Sequence, residues 1–77
     1  MMYASGTSVG RPGLVGLQGR VTGRIAPGLV GEVMVRVRGG AEAFIAYAAE
    51  PGAQIPVGTI VVVMDYLPPR TVYVSAP

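Results

Sequence analysis

The sequence predicts a small all-β domain that closes into a five-stranded barrel. The chain has 77 residues, of which 12 are Gly and 7 are Pro, so turn signals recur at short intervals. The segments between these turns alternate apolar and other side chains with period two, and none has helical periodicity over a useful length. Closure into a barrel is the economical way for so short a chain to remove its sheet edges.

The two N-terminal strands have the clearest alternation. They are predicted over residues 19–25 and 31–38. In the second strand, Val33, Val35 and Val37 share one face, which we assign to the core. The opposite faces of these two strands carry four arginines, Arg20, Arg24, Arg36 and Arg38.

Three further strands are predicted over residues 41–48, 59–66 and 71–75. Phe44 is placed inside the barrel because it is the only Phe and the largest available core side chain. A helix over residues 41–50 is the alternative, since Ala-rich runs have high helix propensity. The Gly-Gly before this segment and the Pro-Gly after it fit either interpretation, and the strand is the preferred one.

The domain organisation follows from length and composition. A chain of 77 residues is enough for one domain and too short for two. Residues 1–13 are rich in Gly and Ser, have no periodicity and end on an Arg-Pro-Gly turn signal, so they are predicted to be a flexible N-terminal linker. Residues 14–77 are predicted to form the barrel.

The composition excludes most catalytic and cofactor chemistry. The chain has no Cys and no His, the ligands that zinc usually takes, so no metal site is expected. It has no Lys either, which excludes a lipoyl- or biotinyl-carrier domain. The four carboxylates lie far apart in sequence, and no Ser has a general base to activate it. We therefore expect no catalytic residues, no cofactor and no enzymatic activity.

The fourth strand contains the most informative anomaly. If Val61 and Val63 face the core, the alternate side chains form an apolar outer row. Together with two nearby tyrosines, this row predicts a partner-binding patch. The predicted patch consists of Ile60, Val62, Met64, Tyr66 and Tyr73. In the alternative interpretation, residues 1–13 or the loop at 50–58 cover this strand, and the sequence leaves both interpretations open.

A nucleic-acid-binding barrel is the alternative function. Gly16-x-x-Gly19-x-Val21 is similar to the KOW motif of RNA-associated proteins, and small barrels commonly bind single-stranded nucleic acid. The residues for this role are Arg20, Arg24, Arg36 and Arg38. A net charge of +2 gives only a weak electrostatic attraction for a nucleic acid. The tyrosines on which bases would stack do not lie among these arginines in the sequence. Solvated surface arginines are therefore the preferred interpretation.

A series of short motifs runs through most of the chain. In order they are Gly16-x-x-Gly19-x-Val21, the turn Ala26-Pro27-Gly28, the strand at 31–37, Phe44-Ile45-Ala46, Ile55, Gly58, Val61-x-Val63 and Val72-Tyr73-Val74. In this order and spacing, residues 14–76 resemble the soluble C-terminal domain of the NfeD family. The family has Trp where this chain has Phe44, and Arg where it has Ala26.

The resemblance implies a fold, a partner and a location. Domains of this family are OB-folds that follow membrane helices, and they are associated with stomatin- and flotillin-like membrane scaffold proteins. The predicted function is therefore a non-catalytic protein-interaction module of a membrane-associated protein. Its predicted partner is a stomatin- or flotillin-like protein or a second copy of itself. Membrane attachment is expected only through a segment outside this chain, with residues 1–13 as the end of the connecting linker, and the side of the membrane is left open.

Overall fold

A computed structural model describes residues 11–77 of the protein. The predicted linker, residues 1–13, lies largely outside these residues and stays a prediction. The described chain begins with a short 3-10 helix, Arg11–Leu14, which contacts the fourth strand of the barrel.

Five strands follow the 3-10 helix. They are β1 (Gln18–Gly23), β2 (Gly31–Val37), β3 (Gly40–Ala48), β4 (Ile60–Leu67) and β5 (Thr71–Ser75). The predicted all-β class is confirmed, and the predicted bounds differ from the observed ones by at most two residues. The helical alternative for residues 41–50 is wrong, because β3 pairs along its length with β2 and this pairing overrides the helix propensity of alanine.

The strands close into a barrel in the order β1-β2-β3-β5-β4, with β4 pairing back onto β1. The β3–β5 pair is parallel, and the other four pairs are antiparallel. A five-stranded barrel of this kind has the OB-fold architecture, so the predicted fold is confirmed. Because the barrel is closed, each strand has one face toward the core and one toward the outside.

The barrel interior is filled by eleven buried apolar side chains from all five strands and two loops. Val61 and Val63 of β4 are fully buried, and Phe44 of β3 is inside, as the alternation predicts. Ile25 and Ile55 form an isolated bridge between the loops that follow β1 and β3 and complete this core. The burial of these two isoleucines explains why the loop at 50–58 stays packed against the barrel.

Gly31 is the point of closest approach between β2 and its neighbours. A Cβ at this position would lie 2.9 Å from the carbonyl oxygen of Ala46 and would overlap Cγ1 of Ile25. Only glycine allows the backbones to approach this closely. The buried Ile25 bridge therefore depends on the absence of a side chain at Gly31.

A β-bulge interrupts β4 between Val63 and Asp65, where its pairing with β5 shifts by one residue. A bulge places two residues of one strand opposite one residue of the other, so Met64 and Asp65 both face outward. Beyond the bulge the alternation changes phase, and Tyr66 turns toward the core while Leu67 points out.

Candidate functional site

One side of the barrel, formed by β4, β5 and β3, has an outer surface made mainly of apolar and aromatic side chains. We call this surface the apolar face. Three residues of the predicted patch, Val62, Met64 and Tyr73, lie within it, and Ile60 lies at its edge. The apolar face comprises Ile60, Val62, Met64, Leu67, Tyr73, Tyr47 and Ile45.

The centre of the apolar face is a cross-strand row through Tyr73. The parallel register places Tyr73 opposite Tyr47 of β3, and the antiparallel register on its other side places it opposite Asp65 at the bulge of β4. The two tyrosine rings lie 5.7 Å apart between centroids, and their planes are inclined by 36°. This separation is within the range of favourable aromatic pairs, so the two rings form a rigid platform.

A second row runs beside the tyrosine row. Ile45 of β3 and Leu67 of β4 lie on either side of Thr71 of β5, and both apolar side chains are exposed. The bulge in β4 makes this row possible, because it brings Leu67 back to the outer surface. The apolar face is therefore continuous from β4 across β5 to β3.

The edge of the apolar face lies along β4 and β1. Ile60, 42% exposed, is opposite Arg20 of β1, and Arg20 is opposite the exposed Met34 of β2. Met64, 53% exposed, projects further from the surface at the bulge. Within residues 11–77, neither the 3-10 helix nor the loop at 50–58 covers these two side chains.

Charge is sparse on the apolar face. Among Ile45 and Tyr47 of β3 and the outward residues of β4 and β5, Asp65 is the one ionisable group that is not a tyrosine. Its Oδ1 already accepts the backbone N–H of Tyr66 at 2.8 Å. Interface cores are depleted of charged residues and enriched in aromatic residues and Met, which is the composition of this surface.

The structure places Tyr66 away from the apolar face. Its ring meets Phe44 edge-on, with the centroids 6.2 Å apart and an interplanar angle of 89°. Its hydroxyl donates to the backbone carbonyl of Pro69 at 3.1 Å. Tyr66 is therefore half-buried at one end of the barrel, because the bulge at Met64 reverses the alternation that the sequence pattern suggested.

The four arginines of the nucleic-acid interpretation do not form one patch. Arg20 and Arg36 lie on adjacent strands at diagonal positions, since Arg20 is opposite Met34. Arg24 follows β1, whose last residue is opposite Glu32 of β2, whereas Arg38 follows the other end of β2, about 20 Å away at 3.3 Å per residue. Arg24 therefore lies apart from the other three arginines.

The Tyr47–Tyr73 platform is also distant from Arg36. Arg36 is opposite Ala41 of β3, and Tyr47 lies six residues further along that strand, about 20 Å away. The nearest ionisable neighbour of the Tyr47–Tyr73 pair across the sheet is Asp65, which is acidic. An anionic backbone tracking the arginines would therefore not bring its bases onto the tyrosine platform.

Three residues of the apolar face were missed by the sequence analysis. Alternation with the inward Phe44 puts Ile45 and Tyr47 on the outer side of β3, but the parallel pairing of β3 with β5 is a long-range feature that alternation does not reveal. Leu67 lies just beyond the strand predicted at 59–66, and β4 continues past the bulge to include it. The one available signal was the aromatic residue at the non-core position 47.

The described residues contain no helix long and apolar enough to cross a membrane. In the same part of the chain, no three Asp or Glu side chains gather into a candidate metal site.

The family model of the NfeD C-terminal domain matches residues 18–75 of this chain. The chain belongs to the NfeD family. The matched segment begins with β1 and ends with β5, so it coincides with the barrel.

Two solved structures resemble this NfeD domain along most of its length. One is the soluble domain of a membrane protein implicated in regulation of membrane protease activity, from Corynebacterium glutamicum. It is 25% identical with a TM-score of 0.62, and the match covers 82% of this chain and 90% of that one. The other is the C-terminal domain of a stomatin operon partner protein from Pyrococcus horikoshii. It is 29% identical with a TM-score of 0.63, and the match covers 90% of this chain and 95% of that one. A search of the curated proteins found no match.

Proposed function

We propose that this NfeD domain is a non-catalytic protein-interaction module that docks onto a stomatin- or flotillin-type scaffold protein. The observation that carries the proposal is the apolar face, where seven apolar and aromatic side chains surround a single carboxylate. An exposed surface of this composition on a small barrel is typical of a contact site. The similarity to a stomatin operon partner protein supports the choice of partner.

The centre of the apolar face suits contact with a protein. Tyr47 and Tyr73 pack together there, and aromatic side chains of this kind are frequent anchors of binding energy. Met64 is exposed next to Asp65, the cross-strand neighbour of Tyr73, and Thr71 and Ser75 supply polar groups between the apolar rows. A partner that covers this face would bury apolar area with little cost for desolvating charge.

The proposed location is the membrane surface. The similar protein from Corynebacterium glutamicum is the soluble domain of a membrane protein. By that similarity, we place the present domain in a membrane-associated protein, attached through a segment outside this chain. Its scaffold partner would then be held on the same membrane.

The proposal is tested by binding of the 77-residue chain to the purified stomatin-type protein of the same organism. Isothermal titration calorimetry is suitable, because burial of the apolar face predicts a negative heat-capacity change between 10 and 35 °C. Saturable binding with that signature supports the module. Absence of binding to both the stomatin-type and the flotillin-type protein would refute the proposed partner class. Self-association detected by sedimentation would show that the face is used between copies instead.

A further inference from the structure

A groove lies at the end of the barrel where the chain enters β1 and where the β2–β3 and β4–β5 turns meet. Its volume is about 710 Å³, within the range of small ligand sites. Strands pass beyond the packed core at this end, so side chains that point inward along β2, β3 and β4 become accessible. We call it the mouth groove, and it is separate from the apolar face.

The floor of the mouth groove is apolar. Phe44 and Tyr66 meet edge-on at its base, and Leu14, Leu17 and Val37 pack around them, all partly buried except the fully buried Phe44. Phe44 is itself covered by Arg70, whose guanidinium carbon lies 5.4 Å from the ring centroid. Because the core below is filled, the groove is shallow and has no channel into the barrel.

The rim of the mouth groove is cationic. Arg36, Arg38 and Arg70 line it together with one acid, Glu42, which gives a local charge of +2 from three guanidiniums and one carboxylate. Of the three rim arginines, Arg70 is the one with a carboxylate nearby, at 4.0 Å from Glu42, and that contact is half-exposed and weak. Among the described residues, Arg36 and Arg38 have no carboxylate within ion-pair distance.

We propose that the mouth groove binds a partner segment in which carboxylates flank a large apolar side chain. The apolar side chain would lie on the Phe44–Tyr66 floor, and the carboxylates would accept hydrogen bonds from Arg36 and Arg38. Guanidinium groups match carboxylates in bidentate geometry, which gives this rim its complementary charge. The proposal rests on the domain being a protein-interaction module and adds a second, chemically distinct contact to it.

A peptide segment fits this groove better than a lipid. An acyl chain requires a deep apolar channel, whereas here the filled barrel core closes the floor directly beneath Phe44. One or two side chains of an extended segment need only a shallow apolar floor with polar groups at its edge. Binding of anionic lipid is therefore an outcome that the experiment must separate from peptide binding.

The test uses the uniformly ¹⁵N-labelled 77-residue chain and two peptides. The first is acetyl-Glu-Leu-Asp-Leu-Glu-amide, and the second has Gln and Asn in place of the acids. In titrations followed by ¹H–¹⁵N correlation spectra, the acidic peptide is expected to shift the amides of Leu17, Val37, Phe44 and Tyr66. The neutral peptide is expected to bind at least tenfold more weakly. Equal affinity of the two peptides, or shifts confined to the apolar face, would overturn the proposal.

Charge variants sharpen the test. The double variant Arg36→Gln/Arg38→Gln is expected to weaken binding of the acidic peptide roughly tenfold or more, because it removes two charge-assisted donors. Glu42→Gln removes the one acid of the rim and is expected to strengthen binding about two- to fivefold. Arg24→Gln, at the other end of the barrel, is the matched control and is expected to change nothing. Weakening by Arg24→Gln as large as that of the rim variant would contradict the assignment.

Two further measurements separate failure of the peptide proposal from failure of the proposed scaffold binding. Vesicles of phosphatidylglycerol and phosphatidylcholine are titrated in parallel, and arginine-dependent binding to vesicles without peptide binding would refute a peptide ligand. The variant Ile60→Asp/Met64→Asp alters the apolar face alone and is expected to leave peptide affinity unchanged. If the Arg36→Gln/Arg38→Gln variant loses peptide binding but still binds the scaffold protein, the proposed function is retained. If peptide binding is intact and scaffold binding is lost, the assignment of the mouth groove is retained.

Discussion

The rings of Tyr47 on β3 and Tyr73 on β5 lie against each other, with their centroids 5.7 Å apart. The parallel register of the two strands places these residues directly opposite each other. This contact joins the outer side of β3 to the apolar row of β4, since Tyr73 is also opposite the bulge in β4. This aromatic pair therefore connects the exposed side chains of β3 with those of β4 into the continuous apolar face.

The tyrosine pair is expected to contribute to stability as a coupled unit. In a double-mutant cycle of Tyr47→Ala and Tyr73→Ala, we expect an interaction free energy of about 0.5–1.5 kcal/mol. Chemical denaturation of the four proteins measures it. Strict additivity of the two substitutions would show that the rings share a surface without stabilising each other.

Gly31 is expected to be intolerant of a side chain. Gly31→Ala places a methyl group against Ile25 and the carbonyl oxygen of Ala46, and overpacking of this kind costs about 1–3 kcal/mol in the free energy of unfolding. Gly13→Ala is the matched control, because a Cβ at Gly13 meets nothing within 4 Å, and we expect a change within about 0.5 kcal/mol. Equal stability of the two variants, measured by urea denaturation, would contradict the close approach at Gly31.

Two substitutions near the mouth groove are expected to differ widely in cost. Glu42→Gln breaks an ion pair whose two side chains are 53% and 54% exposed, so we expect a loss below about 0.5 kcal/mol. Phe44→Ala removes a buried ring and is expected to cost about 3–5 kcal/mol, a large share of the stability of so small a domain. Thermal denaturation followed by circular dichroism compares the two. A large loss in Glu42→Gln would mean that the exposed ion pair matters more than its geometry suggests.

Nucleic-acid binding is expected to be absent. Arg24 lies apart from the other three arginines, and the Tyr47–Tyr73 pair lies about 20 Å from Arg36 beside an acidic residue. The Phe44 ring beside Arg36 and Arg38 is buried. We therefore expect no saturable binding of mixed-sequence single-stranded oligonucleotides in fluorescence anisotropy at 50 mM salt. Affinity that falls steeply with added salt would instead support the basic-patch interpretation.

The fold was predictable from local patterns in the sequence. Period-two alternation identified all five strands, and Val33 and Val35 of β2 and Val61 and Val63 of β4 are buried as the alternation required. Phe44 was placed inside because of its size, and it is buried. These features depend on neighbouring residues alone, so a single sequence contains the information for them.

The candidate site was predictable only in part. Ile60, Val62, Met64 and Tyr73 were identified from alternation, and the structure places them at the edge and in the body of one outer surface. The alternation gave no sign of the bulge at Met64, which moves Tyr66 to the barrel end and Leu67 to the outer surface.

The mouth groove was beyond the reach of sequence patterns. It combines Leu14, Phe44, Tyr66 and Arg70, which come from four separate parts of the chain. Their proximity depends on barrel closure and on where each strand ends, and both are long-range properties. The sequence pattern identified the arginines on and just after β2, but it did not identify the aromatic floor that lies beside them.

The apolar face is the proposed docking surface for a scaffold protein. The variant Ile60→Asp/Met64→Asp tests it most directly, because both side chains are about half exposed and the change places two charges on that face. The matched control is Leu29→Asp/Val30→Asp, whose side chains are 42% and 67% exposed in the loop between β1 and β2. Circular dichroism and the unfolding temperature verify that both variants are folded.

The measurement is the affinity of the native chain and these two variants for the purified stomatin-type protein, determined by isothermal titration calorimetry. We expect the Ile60→Asp/Met64→Asp variant to lose at least a hundredfold in affinity, since buried unpaired charges cost several kcal/mol at an interface. We expect the Leu29→Asp/Val30→Asp variant to bind like the native chain. Equal binding by a folded face variant, or loss of binding in the loop variant alone, would contradict the assignment of the apolar face.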